Sequence, residues 1–316
     1  MIVRIIYLYV VFVLGVTNAC FSQQGLISED ILLENGTIKL PGTLTYNSNL
    51  NQQPLVIFVH GSGNVDRDGN QASAGANPNY IKQLSDSLAV RNIAFYRYDK
   101  RSATTENLEL VIKDSRFNYY VDDVNIVINS FKDDKRFSSI TLIGHSQGSL
   151  VAMLADQTHV SKYISLAGAG HPLDVALVKQ VRLQNGDSIA NLVKSHFNEL
   201  SEKGFIEKVD PNLMALFNKP AQPFILSWMK YNPIDEIKKL KMPILILNGD
   251  KDIQVFVEDA EVLHKASPNS KLVIIKNMNH TLKTITEDTE QMVSYTTPNV
   301  PLSEELVTTI EDFIKQ

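Results

Sequence analysis

The stretch Ser139-Ile140-Thr141-Leu142-Ile143-Gly144-His145-Ser146-Gln147-Gly148 constrains this chain more than any other. It leads from a short apolar, β-branched segment into Gly-x-Ser-x-Gly, and then into Ser149-Leu150-Val151-Ala152-Met153-Leu154-Ala155, whose small residues suit a closely packed helix. A strand that turns into a helix over so few residues brings backbone against backbone, so Gly144 and Gly148 read as positions with no room for a Cβ. Such a turn holds the hydroxyl of Ser146 exposed above a sheet. Five residues match by chance too easily to stand alone, and the rest of the chain has to supply the fold around them.

That fold is legible in the alternation of elements. Residues 55–59 form a continuous apolar run, the pattern of a strand buried on both faces, ending in His60-Gly61-Ser62-Gly63 and a long Gly-rich polar loop. A helix is predicted over residues 80–91, a strand over 93–98, a helix over 120–132, the strand before Ser146, and a further strand over 162–167. After an interruption the pattern resumes with a buried strand at 243–247, a helix at 257–266, a strand at 271–275 and a last helix at 303–315. Strands alternating with helices in this way imply an α/β fold, a mostly parallel sheet with helices on both faces. Ligands of such sheets bind beyond the carboxyl ends of the strands, where Ser62, Ser146 and Gly168 all fall. Ahead of this, residues 27–34 and 37–46 read as a hairpin about Asn35-Gly36.

The interruption, about residues 171–235, is mainly helical and broken by Pro211, Pro220, Pro223 and Pro233. It is longer than an ordinary crossover and reads as a helical lid inserted at the active-site end of a single domain spanning residues 23–316. Residues 1–22 read as a signal peptide: a basic start, an apolar run too short for a bilayer span of ~20 residues, and a small polar exit. The expectation is an exported protein, periplasmic or secreted. Cys20, the sole cysteine, follows Ala19 as at the end of a lipobox, but Thr17 and Asn18 depart from that pattern. A formal charge of −5, or −6 with 29 basic against 35 acidic residues once Arg4 is removed, argues against a nucleic-acid partner. Membrane contact is expected only through acylation at Cys20 or through the lid, and the sequence carries no signal for an oligomeric state.

A serine hydroxyl is a weak nucleophile without a base in contact and a carboxylate that orients the base. His280 follows the last strand, and Asp250 and Asp252 both follow the strand before it. His60 reads as a loop-fixing residue and His145 as packing beside the turn, with Asp122 and Asp123 as a solvated helix start. Asp66-Arg67-Asp68-Gly69-Asn70 fits a calcium loop poorly, because its glycine is misplaced and Asn77 stands where a glutamate belongs; Arg67 is expected to pair locally with Asp66 or Asp68.

The order Ser146, Asp252, His280, together with His60-Gly61-Ser62-Gly63, Asp66-Arg67-Asp68-Gly69 and Arg97-Tyr98-Asp99-Lys100-Arg101, resembles the α/β-hydrolases, in particular bacterial exported carboxylesterases and lipase-like esterases. Ser102 stands where those proteins continue with glycine. The resemblance covers residue 55 onward and places the acid three residues after Gly249, at Asp252. It implies hydrolysis of small to medium acyl esters with Ser146 as nucleophile, His280 as base, Asp252 as its orienting acid, and the backbone N–H groups of Ser62 and Gln147 as the oxyanion hole. No cofactor or metal is expected. The same residues suit an alternative, amide or peptide hydrolysis of the aminopeptidase type or acyl transfer, since each passes through an acyl-enzyme.

Overall fold

The computed structural model describes residues 25–316; the expected signal peptide over residues 1–22, and Cys20 with it, lies outside the described residues. Eight strands form one sheet: β1 (Leu26–Asn35), β2 (Ile38–Asn47), β3 (Gln53–Val59), β4 (Ala94–Tyr98), β5 (Phe137–His145), β6 (Lys162–Leu166), β7 (Ile244–Gly249) and β8 (Lys271–Ile275). Their spatial order is β1-β2-β4-β3-β5-β6-β7-β8; the pairings β1·β2 and β2·β4 are antiparallel, and those from β4 through β8 are parallel. Eleven α-helices accompany it among the described residues: α1 (Tyr80–Ala89), α2 (Leu108–Lys113), α3 (Phe117–Phe131), α4 (Gln147–Leu154), α5 (Leu173–Lys203), α6 (Met214–Phe217), α7 (Gln222–Trp228), α8 (Pro233–Ile237), α9 (Val257–Ala266), α10 (Glu290–Thr296) and α11 (Glu304–Lys315).

The apolar run of β3 explains its central place. Leu55, Ile57 and Val59 face one core with α3 and α4, whereas Val56 and Phe58 face another with α1 and α11. Burying each such side chain on folding is worth roughly 1.5–3 kcal/mol, so a strand apolar on both faces is stable only with helices on both sides. The parallel sheet and its two helical layers therefore match the expectation from the sequence. The hairpin turn lies one residue later than expected: Asn35 pairs with Ile38, leaving Gly36-Thr37 as the loop, with Gly36 at φ +62°. Asn35 stays in the strand and its side chain donates to the carboxylate of Asp123 at 2.9 Å.

Asp123 corrects another expectation. Helix α3 begins at Phe117, three residues earlier than predicted, which turns Asp123 onto its buried side while Asp122 stays exposed. There Asp123 accepts two 2.6 Å bonds from the guanidinium of Arg101, a buried ion pair that tethers the segment after β4 to α3. Arg67 likewise pairs at long range: its Nε and Nη2 donate to Asp99 at 3.0 and 2.9 Å. Asp68 pairs with Arg97, and Asp66 accepts the backbone N–H groups of Asp68 and Asn70 at 2.9 and 2.8 Å. The acidic loop is thus closed by its own backbone, by Arg97 of β4, and by its own Arg67 reaching Asp99 just past β4.

Between β6 and β7 the chain carries α5 to α8. Helix α5 breaks at Gly186, which has φ +82°, and the prolines at 211, 223 and 233 sit in the first turns of short helical segments, where a missing N–H costs nothing. The insertion has a small core of its own, including Val193, Phe197, Leu200, Phe217 and Ile225, and Phe224 joins it to the main core. Helix α10 lies in a region that reads as loop, because seven residues of mixed polarity carry little periodicity.

Candidate active site

Strand β5 delivers Ser146 into a turn at φ +54° and ψ −123°, a conformation costing a non-glycine residue about 1–3 kcal/mol. The surrounding glycines show why the strain is held. A Cβ on Gly144 would lie 2.4 Å from the carbonyl oxygen of Gly148, and one on Gly148 would lie 2.2 Å from that of Val59 in β3. The Ser146 N–H also donates to Leu166 at the end of β6, at 3.0 Å. Three neighbouring strand ends therefore hold the turn, and Ser146 opens from it into a cavity of ≈ 640 Å³.

The loops after β7 and β8 bring Asp252 and His280 together. Asp252 is held by the backbone N–H groups of Gln254 and Val255, which donate to its Oδ1 at 2.8 and 3.0 Å. Its Oδ2 lies 2.7 Å from His280 Nδ1, with both side chains buried. A carboxylate only accepts, so Nδ1 carries a hydrogen, and in the neutral ring Nε2 is then the nitrogen with the lone pair, the tautomer a general base requires. His280 sits beside the turn: its backbone carbonyl is 3.0 Å from His145 Nε2, and the two rings are 4.8 Å apart. Asp250 is exposed and accepts the Asn277 N–H at 2.6 Å, a turn role away from His280.

His145 and His60 are structural. Burial holds His145 well below the usual histidine range, and its other nitrogen lies 3.2 Å from the Tyr80 hydroxyl. Burial, with Lys100 adding to it, lowers His60 to about 3, so it stays neutral against the edge of Tyr98.

The oxyanion-hole pair expected from the resemblance lies on the two segments that meet at the turn. Gln147 opens α4, where the first backbone N–H groups have no partner within the helix. Ser62 follows Gly61, whose Cβ position would be 3.2 Å from Ser146 Cβ, and both Ser62 and Gln147 line the cavity. The residue that sequence reasoning missed is Lys100. It is buried at the same cavity, donating to Gly61 O and Gln147 Oε1 at 2.7 Å each, and burial lowers it to about 7. In the sequence it is a charged residue two positions past the end of β4, within the Arg97-Tyr98-Asp99-Lys100-Arg101 motif, and neither feature announces its burial. Ser102 adopts no left-handed backbone, so a glycine is not required there.

The cavity lies at the carboxyl end of the sheet, as the strand pattern predicts. Its far wall comes from the insertion, with Leu177, Phe224 and Trp228, and its near wall from Leu150 and Ile112. The lining is dominated by apolar groups.

The BD-FAE family model matches residues 44–266, more than half of the chain. The chain belongs to the BD-FAE family. The matched span of this BD-FAE chain holds Ser62, Ser146, Gln147 and Asp252, while His280 lies beyond it. Esterase EstD of Thermotoga maritima is 26% identical over 252 residues, which are 76% of this chain and 57% of that protein. The chain thus spans little more than half the length of this curated relative. Est1E from Butyrivibrio proteoclasticus is 18% identical with a TM-score of 0.57, covering 91% of this chain and 99% of that one. An esterase of Pyrococcus furiosus is 17% identical with a TM-score of 0.58, covering 92% and 91%. A putative dipeptidyl aminopeptidase IV from Bacteroides ovatus, 13% identical with a TM-score of 0.57, covers 93% of this chain and 36% of its own. At these identities the likeness is one of fold, and the fold of this BD-FAE member is that of the α/β-hydrolases.

Proposed function

We propose that the protein is a serine carboxylesterase hydrolysing small to medium acyl esters. The observation that carries this reading is the buried 2.7 Å bond between Asp252 and His280 beside a strained turn from which Ser146 faces an apolar cavity. Kinship with EstD supports the ester bond as the one cleaved.

In this mechanism Ser146 Oγ attacks the acyl carbonyl as His280 Nε2 removes its proton, and Asp252 stabilises the imidazolium. The tetrahedral oxyanion is held by the N–H groups of Ser62 and Gln147, each worth roughly 3 kcal/mol in comparable sites. His280 then returns the proton to the leaving alcohol, giving the Ser146 acyl-enzyme. Water, deprotonated by His280, attacks the acyl carbon and releases the acid and Ser146. The residues require no metal or cofactor for these steps. The acyl group is assigned to the apolar wall, with the insertion as a lid over it.

Replacing Ser146 with alanine is expected to leave a folded protein that neither turns over p-nitrophenyl esters nor takes up a fluorophosphonate label. Turnover retained by that variant would remove Ser146 from the mechanism. Matched ester and aminoacyl-amide substrates test the bond, and a preference for the amide would replace the esterase reading with a peptidase one. The proposed place of action is outside the cytoplasm, and a mature N-terminus near residues 19–23, read by mass spectrometry of the exported protein, is the corresponding check.

A further inference from the structure

We propose that Lys100 is a positioning residue that holds both halves of the oxyanion hole at once, through the carbonyl of Gly61 and the side chain of Gln147. The proposal rests on the esterase reading above. Gly61 C=O and Ser62 N–H belong to one peptide unit, and the described residues contain no cis bond, so the two groups point in opposite directions along a rigid plane. An ammonium fixed 2.7 Å from that oxygen therefore sets the direction of the Ser62 N–H. Donation to the carbonyl also polarises the amide and makes its N–H a stronger donor. The second 2.7 Å bond, to Gln147 Oε1, ties the same ammonium to the residue bearing the other N–H. One side chain thus spans the loop after β3 and the first residue of α4.

The geometry of Lys100 is itself constrained. Its backbone N–H donates to Val65 at 3.2 Å, its carbonyl accepts from Ala103 at 2.7 Å, and its Nζ lies 4.8 Å from the centre of the Tyr120 ring. Among the described residues it forms no ion pair, unlike the nearby Arg101 with Asp123 and Arg67 with Asp99. A brace between two neutral acceptors is provided more cheaply by a neutral amide or a hydroxyl, because an ammonium without a carboxylate carries a desolvation cost. The fall of its pKa to about 7 reflects that burial. A cation here gains most when negative charge develops nearby, and Lys100 lines the cavity alongside Ser62, Ser146 and Gln147.

The test compares the parent with Lys100→Met, which keeps the length and loses the donors, with Lys100→Arg, which keeps donors, and with Gln147→Leu, which removes one acceptor. With p-nitrophenyl acetate, Lys100→Met is expected to lower kcat by about 10- to 100-fold, less than the loss of an oxyanion donor outright, with KM within about twofold. A boronic-acid analogue of the tetrahedral intermediate should lose affinity in parallel, while binding of the product acid is unchanged. Partial recovery of kcat is expected in Lys100→Arg and a several-fold fall in Gln147→Leu. If Ser146→Ala abolishes turnover but Lys100→Met keeps kcat within about threefold, this proposal is overturned and the esterase reading stands. Should Lys100→Met fail to fold, an unchanged kcat in Gln147→Leu overturns the bridging role instead. Hydrolysis that persists in Ser146→Ala overturns the esterase reading and this proposal with it.

Discussion

Replacing Asp252 with asparagine probes the site with almost no change of shape. The Oδ1 of Asp252 accepts two backbone N–H groups, from Gln254 and Val255, so in the variant that position has to be filled by the amide oxygen. Turning the amide over would set its NH2 against both donors, leaving two buried groups unsatisfied at about 1–3 kcal/mol each. The unflipped amide points its NH2 at His280 Nδ1, 2.7 Å away in the parent, and a donor there makes Nδ1 the acceptor. The ring hydrogen then moves to Nε2, and His280 can no longer take the Ser146 proton. Loss of the correct tautomer in a triad of this kind costs on the order of 10⁴-fold in kcat. At 1.36 kcal/mol per tenfold, that is about 5 kcal/mol of barrier. The assay is kcat/KM for p-nitrophenyl acetate beside a thermal melt, with Asp250→Asn as the control. Asparagine at 250 keeps an oxygen for the Asn277 N–H, so that variant is expected to match the parent. A folded Asp252→Asn protein within tenfold of parental activity would refute the orienting role of Asp252.

Other consequences follow from the packing and the buried histidines. In Gly148→Ala the new Cβ meets the carbonyl oxygens of Val59 and His60 at 2.2 and 2.4 Å, so the end of β3 has to retreat on the order of 1 Å to reach ordinary contact. The Gly61-Ser62 segment moves with it, and a loss of about 100-fold in kcat with about 1–3 kcal/mol of stability is expected. Parental kcat and urea midpoint in that variant would contradict the account of the turn. For pH, His60 binds a proton at 6.5 when unfolded and only at about 3 when folded. Between those values the unfolded state holds more protons, so stability falls as pH drops from 6.5 toward 3, by ~1.4 kcal/mol per unit for each such histidine. His145 acts in the same direction. Urea midpoints from pH 7 to 4 should decline less steeply in His60→Gln, and an equal slope would exclude His60 as a source.

What the sequence by itself determines is whatever depends on local period and chain order. Apolar runs such as residues 55–59 and 140–143 can be buried only in a sheet covered on both faces, and the glycines at 144 and 148 announce a turn too tight for side chains. The succession of Ser146, an acid after β7 and His280 after β8 is likewise readable as order along the chain. Position after the strand does not separate Asp250 from Asp252; the resemblance favours Asp252, and the fold of the loop aims it at His280 and Asp250 at Asn277. The burial of Lys100, Arg101 and Asp123 is illegible in the sequence. A charged residue in sequence reads as exposed, and its burial depends on a partner tens of residues away: Lys100 with Gly61 and Gln147, Arg101 with Asp123. The partners of Lys100 meet because β4, β3 and β5 lie side by side although β3 precedes β4 in the chain, and lateral order of this kind is a property of the assembled sheet.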